Sequence, residues 1–178
     1  MTAATASPRV LRNPVLGLEG TVRTSAEESQ GEVWAADVTA RPGASGGPAH
    51  IHRRQEERFR LHEGRLAYRV GDHRGVLLPG ETLVVPPGTT HEFRNASAAV
   101  ARFTAEFRPA LRVGDFFAAL FDLAAAGETD ARGLPSPLKA AALMREFPDE
   151  FFYPPFPPVP VIRALAAPLG WLAARRGL

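Results

Sequence analysis

The sequence predicts an all-β core, a sandwich or barrel, followed by a helical C-terminal extension. Short strand-like runs with Gly and Pro punctuation fill the chain up to Pro109. Beyond Pro109 the apolar residues recur at helical spacing instead. The length of 178 residues suits one domain with a sizeable core plus an appendage.

The elements follow in order. Residues 1–14 are rich in Ala, Thr and Ser and read as a flexible tail, so the barrel is expected over 15–109 and the extension over 110–178. Glu32 to Thr39 alternates in part, with Val33, Trp34 and Val38, and ends at Arg41-Pro42-Gly43 and Ser45-Gly46-Gly47-Pro48. Ala49 to Arg53 and Glu57 to His62 are short strand candidates. Arg65 to Gly71 sets Leu66, Tyr68 and Val70 against Arg65, Ala67 and Arg69. Thr82 to Pro86, His91 to Asn95 and Val100 to Phe107 complete the strands. In the last, Thr104 and Glu106 alternate with Phe103, Ala105 and Phe107, and parity alone leaves open which set faces inward.

The extension begins with a helix over Val113 to Gly127, where Phe116, Phe117, Leu120, Phe121 and Leu123 fall at helical spacing and Gly127 supplies the stop. Pro137 to Phe147 is a second helix, with Pro137 suited to its first turn. Phe151 to Pro160 holds five prolines and is expected to be extended. A last helix over Val161 to Arg176 is bent or interrupted at Pro168. The extension is expected to pack on the barrel or on a partner subunit.

Composition removes several function classes. There is no cysteine, so disulfides, iron–sulfur clusters and thiol nucleophiles are excluded, and any metal must be held by His, carboxylate or carbonyl groups. The formal net charge is only +2, and Arg53, Arg54, Arg58 and Arg60 interleave with Glu56, Glu57 and Glu63. That mixture lacks the concentrated basic patch of a nucleic-acid binder. No run approaches the roughly 20 apolar residues that span a bilayer, and residues 1–14 have no signal-peptide core. A cytoplasmic protein with a small-molecule substrate, no nucleic acid, no membrane and a homodimeric state is the expectation.

The chemistry concentrates in His50-Ile51-His52, Glu57 and His91. Three imidazoles and a carboxylate form a ligand set for one divalent transition ion, Fe, Mn, Ni, Cu or Zn rather than Ca or Mg. In a strand, His50 and His52 would share a face. Spacing and the inward phase of Phe59 select Glu57, with Glu56 as the alternative. Phe59 and Leu61 would then point inward with Glu57, and Phe93 shares a face with His91. Phe59, Tyr68 and Phe93 are the candidate substrate contacts. Tyr68 is either a hydrogen-bond donor to a ligand or an ordinary packed tyrosine. His62 and His73 read as exposed or turn residues.

Two longer stretches carry a family resemblance. The first is His50-x-His52, four residues, Glu57, six residues, Gly64. The second is Gly80, five residues, Pro86-x-Gly88, two residues, His91, three residues, Asn95. Both resemble the paired motifs of the cupin superfamily, in order and with every ligand position filled, over roughly residues 30–108. One departure is Ala44, which stands where the family places a leading glycine. The resemblance implies an antiparallel jelly-roll β-barrel and His50, His52, Glu57 and His91 as metal ligands. It also implies a metal-dependent enzyme on a small organic molecule, dioxygenase-like first, with Glu57 as the catalytic base. A metal-dependent isomerase or cyclase and a non-catalytic binder are the alternatives.

Overall fold

The computed structural model describes residues 9–151, together with Pro168, Trp171 and Arg175. Among the described residues nine strands form two antiparallel sheets. They are β1 (Val10–Asn13), β2 (Leu18–Thr24), β3 (Trp34–Ala40), β4 (Glu56–Glu63), β5 (Leu66–Val70), β6 (His73–Leu77), β7 (Thr82–Val85), β8 (His91–Arg94) and β9 (Ala101–Arg108). The larger sheet runs β1-β2-β3-β9-β4-β7 and the smaller β6-β5-β8. Together they make the jelly-roll expected from the motifs.

Side-chain alternation explains the two layers. Along β9, Phe103, Ala105 and Phe107 turn into the core while Arg102, Glu106 and Arg108 turn out. This settles the parity left open by the sequence. Glu106 pairs outside with Arg108 at 2.9 Å, and the buried Thr104 hydroxyl donates to Asp37 at 2.9 Å. Phe59, Phe93 and Phe103 meet at the centre with ring centroids 5.2 to 5.8 Å apart. Such tilted and edge-to-face pairs add about 0.5–1.5 kcal/mol each beyond area burial.

Two motif residues shape the frame. Gly64 joins β4 to β5 with φ 82°, and a Cβ there would sit 2.8 Å from the Ala101 Cα. Asn95, fully buried after β8, donates to the carbonyls of Ala40, Arg41 and Ala99 at 2.8–3.2 Å. Its Oδ1 accepts from Ser97. One side chain thus ties the β8–β9 loop to the end of β3. Ala44 is buried without a left-handed backbone, and Gly43 and Gly47 beside it take φ 80° and 89°. The missing family glycine is therefore compensated by its neighbours.

Three expectations need correction. Residues 10–13, placed in the tail, form edge strand β1. Strands β2 and β6 go unread in the sequence, because Gly20 and Gly75 thin the apolar face of each. Ala49 to Arg53 is not a strand. It contributes only isolated bridge residues, His50 and Ile51, and His50 and His91 exchange backbone hydrogen bonds of 3.0 and 2.9 Å.

Helix α1 (Val113–Ala125) ends at Gly127, φ 74°, and α2 (Pro137–Glu146) starts at its proline. The buried face of α1 holds Val113, Phe116, Leu120 and Ala124, spaced three and four apart. Phe117 packs on Trp34 and Phe107 at 5.7 and 5.4 Å, and Val113 and Ala118 belong to the barrel core itself. Of the expected last helix only Pro168, Trp171 and Arg175 are described, each helical, and of the proline-rich run only Phe151. Among the described residues no helix is long and apolar enough to cross a membrane.

Candidate metal centre

The four predicted ligands arrive from three places. His50 and His52 lie in the loop between β3 and β4, Glu57 is the second residue of β4, and His91 is the first of β8. The backbone holds them together. His50 bridges to His91, and the Gly88 N–H of the Pro86-Pro87-Gly88 turn donates to the His52 carbonyl at 2.7 Å. All four side chains are buried, and one ligand atom from each lies within 4.8 Å of the others. Ligands 2.0–2.2 Å from an ion are separated by at most about 4.4 Å. Small side-chain rotations therefore suffice to close the set.

The outer ring nitrogens fix the chemistry of the inner ones. His50 Nδ1 donates to the Pro48 carbonyl at 2.9 Å and His91 Nδ1 to the Thr89 carbonyl at 3.0 Å. His52 Nδ1 donates to the Glu150 carbonyl. A carbonyl can only accept, so each Nδ1 carries the proton, and a neutral ring then offers a bare lone pair at Nε2. Such an orientation of ligand histidines is how a protein sharpens a metal site.

Inside, acceptors face acceptors. Glu57 Oε2 stands 2.7 Å from His91 Nε2 and 3.5 Å from His52 Nε2. These three buried atoms have no hydrogen-bond partner among the described residues. Unpaired buried polar atoms cost about 1–3 kcal/mol each. A cation at their common centre removes that cost, so the residues present fit a divalent ion.

The titration behaviour points the same way. Burial works against the Glu57 carboxylate, but His52 and His91 together outweigh it and hold its carboxyl well below the usual range. Burial also opposes charge on His91, yet the Glu57 carboxylate beside it raises that imidazole above its ordinary value. His50 is pushed well below, first by burial and then by the other two imidazoles. The pocket thus keeps a negative carboxylate and favours positive charge beside it, from His91 or from an ion.

The sequence-predicted neighbours divide. Phe59 and Phe93 line a cavity of about 80 Å³ together with His50 and Glu57. Phe107 and Phe151 complete its apolar wall. Tyr68 is not among its lining residues. It borders a separate open groove with Arg69 and Arg74, so the proposed donor to a barrel ligand is not placed to act. Glu56 is the outward neighbour of Glu57 and pairs with Arg58, as spacing favoured. His62 is exposed and bonds the Thr104 hydroxyl at 2.8 Å, and His73 is exposed at the start of β6. Sequence reasoning missed Glu150 and Phe151, which reach the centre from almost a hundred residues beyond His52. The one signal is composition: a Pro-Asp-Glu step inside the aromatic run Phe147 to Phe151.

Residues 36–106 match the family model described as a cupin domain. A solved structure from Thermotoga maritima, a predicted oxalate decarboxylase, superposes with a TM-score of 0.52 at 18% identity, covering 61% of this chain and 96% of its own. Over residues 36–106 the barrel has the cupin fold. The resemblance read from the two motifs holds over this span, and the likeness in shape is one of fold. KdgF from Halomonas sp. is also similar, with a TM-score of 0.47, 20% identity and coverage of 52% and 79%. An RmlC-like cupin from Shewanella frigidimarina gives 0.48, 20%, 60% and 88%. No curated protein matches the chain. Among the described residues, His50, His52, Glu57 and His91 are the group that could bind a metal ion.

Proposed function

We propose that this cupin is a metal-dependent enzyme acting on a small organic molecule, with oxygen-dependent, dioxygenase-type oxidation as its chemistry. The observation that supports it most is the convergence of three imidazoles and one carboxylate, two of which, His50 and Glu57, line an apolar cavity. His50, His52, Glu57 and His91 would hold one divalent transition ion. Bound there, the ion supplies Lewis acidity and, with O2, redox chemistry.

The chain's own residues do the rest. Among the described residues Glu57 is the one carboxylate lining the cavity, and its shared contact with His91 gives it a group that can help carry a proton. It acts as the base that takes a proton from the substrate. Phe59 and Phe93 contact the substrate's apolar part and keep water away, which strengthens electrostatic interactions at the centre. The cavity of about 80 Å³ is far below the ~300 Å³ of pockets for drug-sized ligands. A small substrate, or one admitted by movement of the wall, fits it.

Metal analysis of the purified protein, followed by oxygen uptake with diketone, phenolic and flavonoid panels, tests this reading. One equivalent of metal is expected in the wild type and none in the His50→Ala/His52→Ala variant, with the barrel still folded. Glu57→Gln is expected to lower turnover by 10²–10⁴-fold, the usual worth of a general base. Metal retained in the double variant refutes the ligand set. Stoichiometric metal without oxygen uptake in the Fe, Mn, Ni and Cu forms leaves isomerisation or ring closure, which need only a Lewis acid and a base.

A further inference from the structure

We propose that Glu150 is a positioning residue of the metal centre and that Phe151 closes its cavity side. Ion affinity and solvent access then depend on how the helical extension seats. This rests on the metal-dependent reading above.

The three imidazoles are not oriented in the same way. His50 and His91 donate to carbonyls two residues away in their own loops. His52 instead donates to the carbonyl of Glu150, which reaches it from the far side of the extension. Local folding of the barrel therefore fixes two ligands, and tertiary docking fixes the third.

The docking is built around a buried carboxylate. Glu150 is 3% exposed. Its Oε1 accepts the Arg112 N–H at 3.0 Å and its Oε2 the Asp149 N–H at 3.1 Å. Arg112 precedes the first turn of α1, where no side chain of its own caps the helix. A negative charge is favourable at that end. Two further contacts seat the segment. Arg112 reaches the Glu146 side chain at 2.8 Å, and Arg54, two residues from His52, pairs with Asp149 at 3.1 Å.

Phe151 completes the arrangement. Its ring stacks on His50 with centroids 4.2 Å apart and planes 18° apart. It meets the His52 ring edge-on at 5.6 Å and stacks on Phe116 of α1 at 5.2 Å and 24°. A ligand imidazole, Phe151 and the helix thus stand in one stack at the cavity wall. If the segment lifts, His52 Nδ1 loses its acceptor and the cavity beside the ion opens to water.

Mn(II) is a suitable probe, because its Kd is measurable by titration and its effect on water-proton relaxation counts rapidly exchanging waters on the ion. The fold of each variant is checked by thermal melting. Glu150→Ala is expected to weaken Mn(II) binding 10–100-fold, as loss of an orienting partner does. Glu150→Gln keeps an oxygen for Arg112, so it is expected to fold and to lose less affinity. Phe151→Ala is expected to raise relaxivity by at least one additional exchanging water. A merely structural role would lower the melting temperature but leave relaxivity unchanged. Folded Glu150 variants with wild-type Kd, together with wild-type relaxivity in Phe151→Ala, overturn the proposal while leaving the metal centre intact. Absence of any Mn(II), Co(II) or Zn(II) bound to the wild type overturns the metal-dependent reading and this inference with it.

Discussion

At the scale of single residues, the metal-free centre makes stability depend on pH, and the signs differ among its members. His50 is held neutral in the fold, with its pKa well below the ordinary value. Below about pH 6.5 the unfolded chain binds that proton and the folded one does not, so its contribution is lost as pH falls. Glu57, depressed by its histidine partners, likewise contributes above its unfolded value and is lost in acid. His91 is raised by Glu57, so its contribution is present below about 6.5 and fades as pH rises through the higher folded value. The metal-free protein is therefore expected to melt at lower temperature as pH drops from 7 toward 5, with His91 offsetting part of the loss. An added ion binds the deprotonated ligands, so the rise in melting temperature it produces should shrink over the same interval. Melting curves at stepped pH with and without Zn(II) check this, and a metal-induced shift that ignores pH contradicts it.

Elements impose a second kind of demand. The β4–β5 turn is closed by Gly64 with a left-handed backbone, and any Cβ would press on the backbone of β9. Gly64→Ala combines roughly 1–2 kcal/mol of backbone strain with that overlap. It is expected to lower unfolding free energy by at least that amount, measurable by urea titration, and a neutral result would show that the turn can rearrange. This level is also where legibility from sequence divides. The spacing of Gly64, Gly80 and Gly88 around the histidines is local, so the motif exposes the turns, the ligands and Glu57 directly. Phe59, Leu61 and Phe93 follow by strand parity, and all three are buried. The face of α1 is equally readable from the phenylalanine spacing. Edge strands β1 and β6 are not, because a half-exposed strand needs no clean alternation. Nor does any local pattern expose Glu150 and Phe151. Their role depends on chain reversal through two helices, which residue spacing does not encode.

For the whole molecule, the barrel and its extension share one interior. Val113 and Ala118 lie in the same core cluster as Phe59, Phe103 and Phe107. Gln55, buried ahead of β4, donates to the carbonyls of Pro109 and Ala110 at 3.0 and 2.9 Å. The junction is thus bonded from within rather than by a surface linker. The family match stops at residue 106, but the physical unit does not. A chain shortened to end at Pro109 would leave the Trp34 and Phe107 rings facing solvent and Gln55 without one acceptor. It is expected to be poorly soluble and to melt without cooperativity, whereas one ending after Phe151 should do neither. Comparative melting of the two products decides the point. The boundary suggested by ancestry and the boundary needed for autonomous folding fall some forty residues apart, so dissecting this protein along its recognisable motif would yield a fragment rather than a miniature.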